Sequence, residues 1–226
     1  MAAVLAPSEA MEGASISQQN TEQEHMEDGQ EGSAVDGELA HRVLTADEHP
    51  LQHTWKLFYY KFIGGVWEDG MHEVATFKTV EEYWAVFNNI IKPSQIRAGS
   101  DYYMFKHNIK PMWEDVQNKQ GGRWSMTCKS GNEADDKWDS LCMAVVGEQF
   151  GFDVGEHICG IVVSVKRQGF KLHLWTNDAR DEKMNRSVGS KIKELCHLGE
   201  RDTIRYEDHE SSQNKTKSNA KFLYEV

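Results

Sequence analysis

A chain of 226 residues, 39% hydrophobic and 10% aromatic, is long enough to bury a sizeable core within one domain. Its formal charge of −11 is uneven: residues 1–48 hold eleven acids against Arg42 alone, and the remainder carries 25 acidic and 24 basic side chains. The acidity therefore excludes little about the partners of the later residues, where a local basic pocket fits the composition.

From Met1 to Glu48 there is no aromatic residue. Such a segment buries too little to offset its ordering entropy, so an acidic disordered tail is expected over 1–48 and a folded domain over 49–226. "MAAVLA" lacks a basic n-region and soon meets Pro7 and acids, which argues against a signal peptide. No apolar run approaches a membrane span.

Aromatics begin at "HPLQHTWKLFYYKF", where Trp55, Leu57 and Tyr59 alternate with Lys56, Phe58 and Tyr60, the period of a strand. "TVEEYWAVFNNII" opens with Thr79 and places Glu82 three residues on, a capping box, followed by Val80, Tyr83, Trp84 and Phe87 at helical spacing. A second helix is expected from about Asp135 to Phe150, with Asp135 and Asp136 near its positive end and Trp138, Leu141, Cys142 and Val145 on one face. A third begins near Asp181, carries Met184, Val188, Ile192 and Leu195, and is expected to stop at Gly199 in a left-handed conformation.

Between them lie strand-like runs "DYYMF", "RWSMTC", "CGIVVSVK", "FKLHLWT", "TIRYE" and "FLYEV", with a hairpin signal at Arg167 to Gly169. These imply an α+β domain: a mostly antiparallel, curved sheet with helices on one face. Cys128, Cys142, Cys159 and Cys196 show no Cys-x-x-Cys pair and read as reduced, mostly buried thiols, so no metal site is expected.

Seven tryptophans invite the plain reading that all pack the core, and Trp55, Trp124 and Trp138 fit it. Trp67 and Trp113 do not, because "GGVWEDG" and "KPMWEDV" are loop contexts rich in Gly, Pro and acid. Two loop indoles, each followed by Glu-Asp, suit a flat, electron-poor ligand held in a sandwich. Stacking contributes about 1–3 kcal/mol per base, and a desolvated cation over an indole about 2 kcal/mol. A guanine methylated at N7 meets the description: its ring is cationic, and its N1–H and exocyclic amine are parallel donors for one carboxylate. Glu114 is the better candidate for that acceptor, with Asp115 free to be structural.

A triphosphate attached to such a base needs cations. Lys119 and Arg123 around Gly121 and Gly122, and Lys166, Arg167 and Lys171 across one hairpin, supply them, although a hairpin tip with lysines is often merely solvated. No glycine-rich nucleotide loop, cluster of glutamates, or Ser/His/acid set is evident. A non-enzymatic binder without cofactor is expected.

Taken in order, "HPLQHTWKLFYY", "TVEEYWAVFNNI", "GSDYYMFK", "KPMWED", "NKQGGRW", "VVGEQF", "CGIVVSVK" and "LWT" resemble the eukaryotic translation initiation factor 4E family, which binds the 7-methylguanosine cap of messenger RNA. The resemblance covers His49 to Val226. It implies a curved, eight-stranded antiparallel sheet with three helices on its convex back and the cap in the concave front.

Residue by residue, it implies that Trp67 and Trp113 sandwich the base, Glu114 accepts its Watson–Crick donors, and Trp175 touches the N7 methyl. Arg123 and Lys171 match phosphate positions, Lys215 lies in a C-terminal loop that closes over them, and Ser218 matches a regulatory phosphorylation site. Lys166 stands where the family has arginine, which keeps the charge but loses the planar fork.

The family's convex back takes a helical peptide with a Tyr-x-x-x-x-Leu-apolar motif, from the initiation scaffold or from competing repressors. His49, Pro50, Val80, Trp84 and Gly147 agree with that surface, whereas Asp139, Ser140 and Met143 depart from it. The resemblance thus implies a cytoplasmic protein, with the nucleus as a second location, that recruits capped messenger RNA to translation and is monomeric outside the complex. The alternative is a diverged paralogue that binds caps, engages the scaffold weakly, and acts as a specialised or repressive regulator. Tryptophan at positions 55 and 67 resembles the main class of the family.

Overall fold

The computed structural model describes residues 47–64, 66–213 and 222–226. The expected tail over 1–48 lies outside them except for Asp47 and Glu48, and so do Lys215 and Ser218.

The aromatic alternation near the start of the domain becomes strand β1 (Pro50–Lys61). Trp55 and Leu57 are buried in the main core, whereas Phe58 and Tyr60 stand on the opposite face against a second, smaller cluster. β1 pairs antiparallel with β2 (Met71–Thr79) on one side and β3 (Ser100–Lys106) on the other. With β4 (Gly122–Cys128), β5 (Ile158–Lys166), β6 (Gly169–Thr176), β7 (Arg205–Asp208) and β8 (Tyr224–Glu225), they form an eight-stranded antiparallel sheet ordered β2-β1-β3-β5-β6-β4-β7-β8. The expected hairpin joins β5 and β6 through Arg167 and Gln168, with Lys166 opposite Gly169. β2 had no clear sequence signal, because only Phe77 and Thr79 of its nine residues are buried and the strand lies at the sheet edge.

Three long helices, α1 (Val80–Phe87), α2 (Gly131–Val146) and α4 (Glu182–Leu195), are joined by two short ones, α3 (Phe152–His157) and α5 (His209–Gln213). α1 starts as expected: Thr79 Oγ1 accepts from the Glu82 N–H at 3.1 Å, and Glu82 reaches back to the Lys78 N–H at 2.8 Å. α2 starts four residues before the expected Asp135, because Ser130 and Glu133 form a capping box of their own. Asp135 is instead a tether, accepting from the Ser94 N–H at 2.8 Å and its hydroxyl at 2.6 Å. α4 is capped by Asp181 and ends at Cys196; the positive φ that reverses the chain is that of His197, not Gly199. Leu198 N–H donates to Lys193 O at 2.9 Å and closes the last turn there.

The convex face of the sheet packs Trp55, Trp124, Leu172 and Leu174 against helix residues such as Trp138, Leu141 and Val188, all essentially without exposure. All four cysteines are free and buried, and burial pushes the thiols of Cys159 and Cys196 up to about 12. α4 docks closely on the sheet: the Trp124 indole N–H donates to Asn185 O at 3.0 Å, and a Cβ at Gly189 would stand 2.5 Å from the Trp124 ring. Gly189→Val is therefore expected to cost about 1–3 kcal/mol through forced displacement of α4. A lowered urea midpoint measures it, and an unchanged midpoint contradicts the packing account.

Candidate functional site

The loop between β3 and β4 carries Trp113 and Glu114, and its own polar side chains set its shape. Asp115 accepts from the Lys110 N–H at 3.0 Å and the Gln117 N–H at 2.9 Å. Asn118, fully buried, donates through Nδ2 to Lys110 O at 2.9 Å and Met112 O at 2.7 Å. At the loop's far end a Cβ on Gly121 would lie 1.9 Å from Thr176 O, so only glycine permits this approach to β6. With Asp115 and Asn118 facing inward, Trp113 is left 42% exposed, and the exposed Glu114 carboxylate makes no hydrogen bond or ion pair among the described residues. A cavity of about 830 Å³ beside them is also lined by Lys119, Arg180 and Asp208.

Trp67 opens a 3-10 turn, Trp67–Gly70, before β2. It is half-buried, stacked on Tyr60 at 5.7 Å and 24° and edge-on to Tyr103 at 5.9 Å. Trp175, on β6, is buried in the same concave cluster, against Phe105 at 5.4 Å and His209 at 4.1 Å. Its indole N–H has no partner among the described residues. The structure therefore gathers Trp67 and Trp175 around one aromatic cluster and offers Trp113 and Glu114 from a separate loop; the cavity beside Trp113 does not include the other two indoles.

Arg123, Lys166 and Lys171 line one groove of about 780 Å³ on the concave side. Two of these cations already have acids. Arg123 Nε and Nη2 both donate to Glu207 Oε1, at 3.1 and 2.9 Å. Lys166 Nζ lies 3.2 Å from Asp101 Oδ1, a carboxylate only 8% exposed. Lys171 is exposed and pairs with no acid among the described residues. Sequence reasoning missed Glu207 and Asp101, since only register reveals them: Glu207 stands opposite Arg123 in the β4–β7 ladder.

Between the cations sits His173, hydrogen-bonded through Nδ1 to the Ser125 hydroxyl at 2.8 Å. Burial, then Arg123, with Lys171 and Lys166 adding, pushes its imidazole down to about 3 against the opposing pull of Glu207. His209 behaves alike, pushed down to about 4 by burial and then Arg123.

On the convex side Pro50, Val80, Trp84, Met143 and Gly147 come together around a shallow, largely apolar groove of about 430 Å³. Leu51, Tyr83, Val146 and Glu148 also line it and were not anticipated; Tyr83 supports Trp84 edge-on at 5.1 Å. His49 does not line the groove and instead holds Glu81 through its ring at 2.6 Å and its N–H at 3.0 Å. Asp139 and Ser140 lie outside the lining too, and the Asp139 carboxylate is tied to Lys92 Nζ at 2.6 Å.

Residues 50–222 match the family model described as eukaryotic initiation factor 4E. The chain is 40% identical over 196 residues to translation initiation factor 4E-3 of Caenorhabditis elegans, covering 84% of this chain and 77% of that protein. Its fold is similar to that of the Ascaris suum factor 4E-3 solved with an m2,2,7G cap, with TM-score 0.73 and 42% identity over 79% of this chain and 98% of that one. It is also similar to the C. elegans factor 4E-3 solved with the 4E-binding protein Mextli and a cap analogue, with TM-score 0.72 and 42% identity over 76% and 98% of the two chains.

The two buried imidazoles make stability depend on pH. Their folded pKa values lie below the unfolded value of about 6.5, so the full contribution is present above that pH and is lost as the unfolded chain takes up protons toward about pH 4. The slope is up to about 1.4 kcal/mol per pH unit for each ring. Urea unfolding between about pH 7.5 and 5 is expected to show the loss, with a shallower slope in His173→Asn; identical slopes in both proteins contradict it.

Proposed function

The chain belongs to the eukaryotic initiation factor 4E family, and we propose that it binds the 7-methylguanosine cap of messenger RNA through its domain at residues 49–226. By a scaffold protein on its convex side it recruits capped RNA to the translation initiation machinery. The observation that carries the reading is the exposed Trp113 indole beside a carboxylate, Glu114, that bonds nothing among the described residues. The methylated base stacks between Trp113 and Trp67, its N1–H and amine donate to Glu114, and Trp175 meets the methyl group. Arg123, Lys166 and Lys171 hold the triphosphate; Lys215 closes over it, and Ser218 is a site of phosphorylation.

Binding without turnover suits this site, because among the described residues no acid or base stands hydrogen-bonded to Glu114 to activate it. The convex groove takes an apolar helical peptide, with Trp84 and Met143, both exposed, as the receiving surface. The Asp139–Lys92 pair removes an unpaired charge from the argument for weak scaffold engagement, so the active initiation factor is preferred over the repressive paralogue. Among the described residues no helix is long and apolar enough to cross a membrane, and the cytoplasm is the proposed site of action.

Tryptophan fluorescence is expected to quench with 7-methyl-GTP at concentrations at least about tenfold below those needed with GTP, because the ring charge strengthens stacking. Equal titrations by both nucleotides refute the sandwich. Glu207→Gln is expected to release Arg123 and tighten 7-methyl-GTP binding by about three- to tenfold while leaving 7-methylguanosine nearly unchanged. An equal gain for both ligands, or none, contradicts the account of the phosphate site.

A further inference from the structure

The concave groove has two walls, and the triphosphate accounts for one of them. Arg123, Lys166 and Lys171 stand on β4, β5 and β6, while Arg201, Arg205 and Phe222 line the other side, on and around β7. The lining holds six Lys or Arg against three acids in a chain of net charge −11. Those acids are already engaged: Glu133 with Lys137 at 2.5 Å, Glu207 with Arg123, and Asp202 with the Gly199 N–H.

Arg201 is exposed and has no acid partner among the described residues. Arg205 is half-exposed, bonded to Glu225 at 2.8 Å, and its guanidinium lies 4.8 Å over the Phe222 ring, which remains 41% exposed. The floor between the walls is hydroxyl-bearing, with Ser125 and Thr127 two residues apart on β4, about 6.6 Å at about 3.3 Å per residue, and Ser164 on β5 across β6. A cation wall, a hydroxyl floor and an exposed aromatic ring are the parts from which single-stranded nucleic acid sites are built.

We propose that this second wall binds the capped RNA beyond its first transcribed nucleotide, with phosphates of the following nucleotides on Arg201 and Arg205 and one of their bases against Phe222. The inference rests on the cap reading, because the cap's triphosphate is what delivers the strand into the groove.

The test compares a cap dinucleotide, m7GpppG, with a capped RNA of about six nucleotides, titrated by fluorescence at about 50 and about 200 mM salt. The wild-type protein is expected to bind the longer RNA about three- to tenfold more tightly, with a log–log salt slope steeper by about one to two. Arg201→Gln and Phe222→Ala are each expected to shrink that gain while leaving m7GpppG affinity unchanged, with unfolding midpoints confirming the fold. Equal wild-type affinity for the two ligands, or a gain that survives in the double variant, overturns the inference alone. Failure of the wild type to bind m7GpppG overturns the cap reading and this inference with it.

Discussion

Asp115 accepts two backbone N–H groups within its own loop, and its neighbour Glu114 accepts none among the described residues. That division of labour between adjacent carboxylates governs the concave site. A surface loop that spent both acids internally would have no acceptor for a ligand; one that spent neither would lack the bonds that fix where the indole points. Asn118 completes the fixation from a fully buried position, so the exposed pair Trp113–Glu114 stands on a rigid base although it sits in a loop. Buried amide donors of this kind are costly to remove, about 1–3 kcal/mol each, which is what such rigidity is worth.

The rest of the fold distributes its aromatics around that requirement. The convex face is filled by three helices and an apolar core, and the concave face keeps a smaller cluster in which Trp67 rests on Tyr103 and Trp175 on Phe105, two rings that neighbour each other. Charge is similarly divided. Asp101 and Glu207 hold Lys166 and Arg123 in place before any anion arrives, so the groove trades part of its attraction for order. Among the described residues, Lys171 and Arg201 are the groove's cations that pair with no acid. His173, neutral among these cations, lets the floor be polar without adding to their repulsion.

Much of this was legible in the sequence wherever one residue type in one context is hard to bury. Trp67 and Trp113 stood out because glycine, proline and acids surround them, and β1 and α1 because their periodicity is unambiguous. α2 was placed late because Ser130-Gly131-Asn132 resembles a turn, and the capping box that starts the helix lies inside that turn-like run. β2 escaped notice as an edge strand with little burial. The acids that engage Arg123 and Lys166 are 84 and 65 residues away in sequence; strand register, not local pattern, brings them together. Asp139 illustrates the same limit on the convex side, where its sequence suggests a disruptive charge and the fold supplies Lys92.

The central claim, that Glu114 is held ready for two donors on a cationic purine, is tested most directly by Glu114→Gln. Glutamine keeps the size but presents one acceptor and an N–H₂ that opposes a donor on the base. Affinity for 7-methyl-GTP is predicted to fall by at least about tenfold, roughly 1.4 kcal/mol or more, with an unchanged melting temperature because Glu114 bonds nothing among the described residues. Undiminished affinity, or a loss matched by an equal loss of stability, would contradict it.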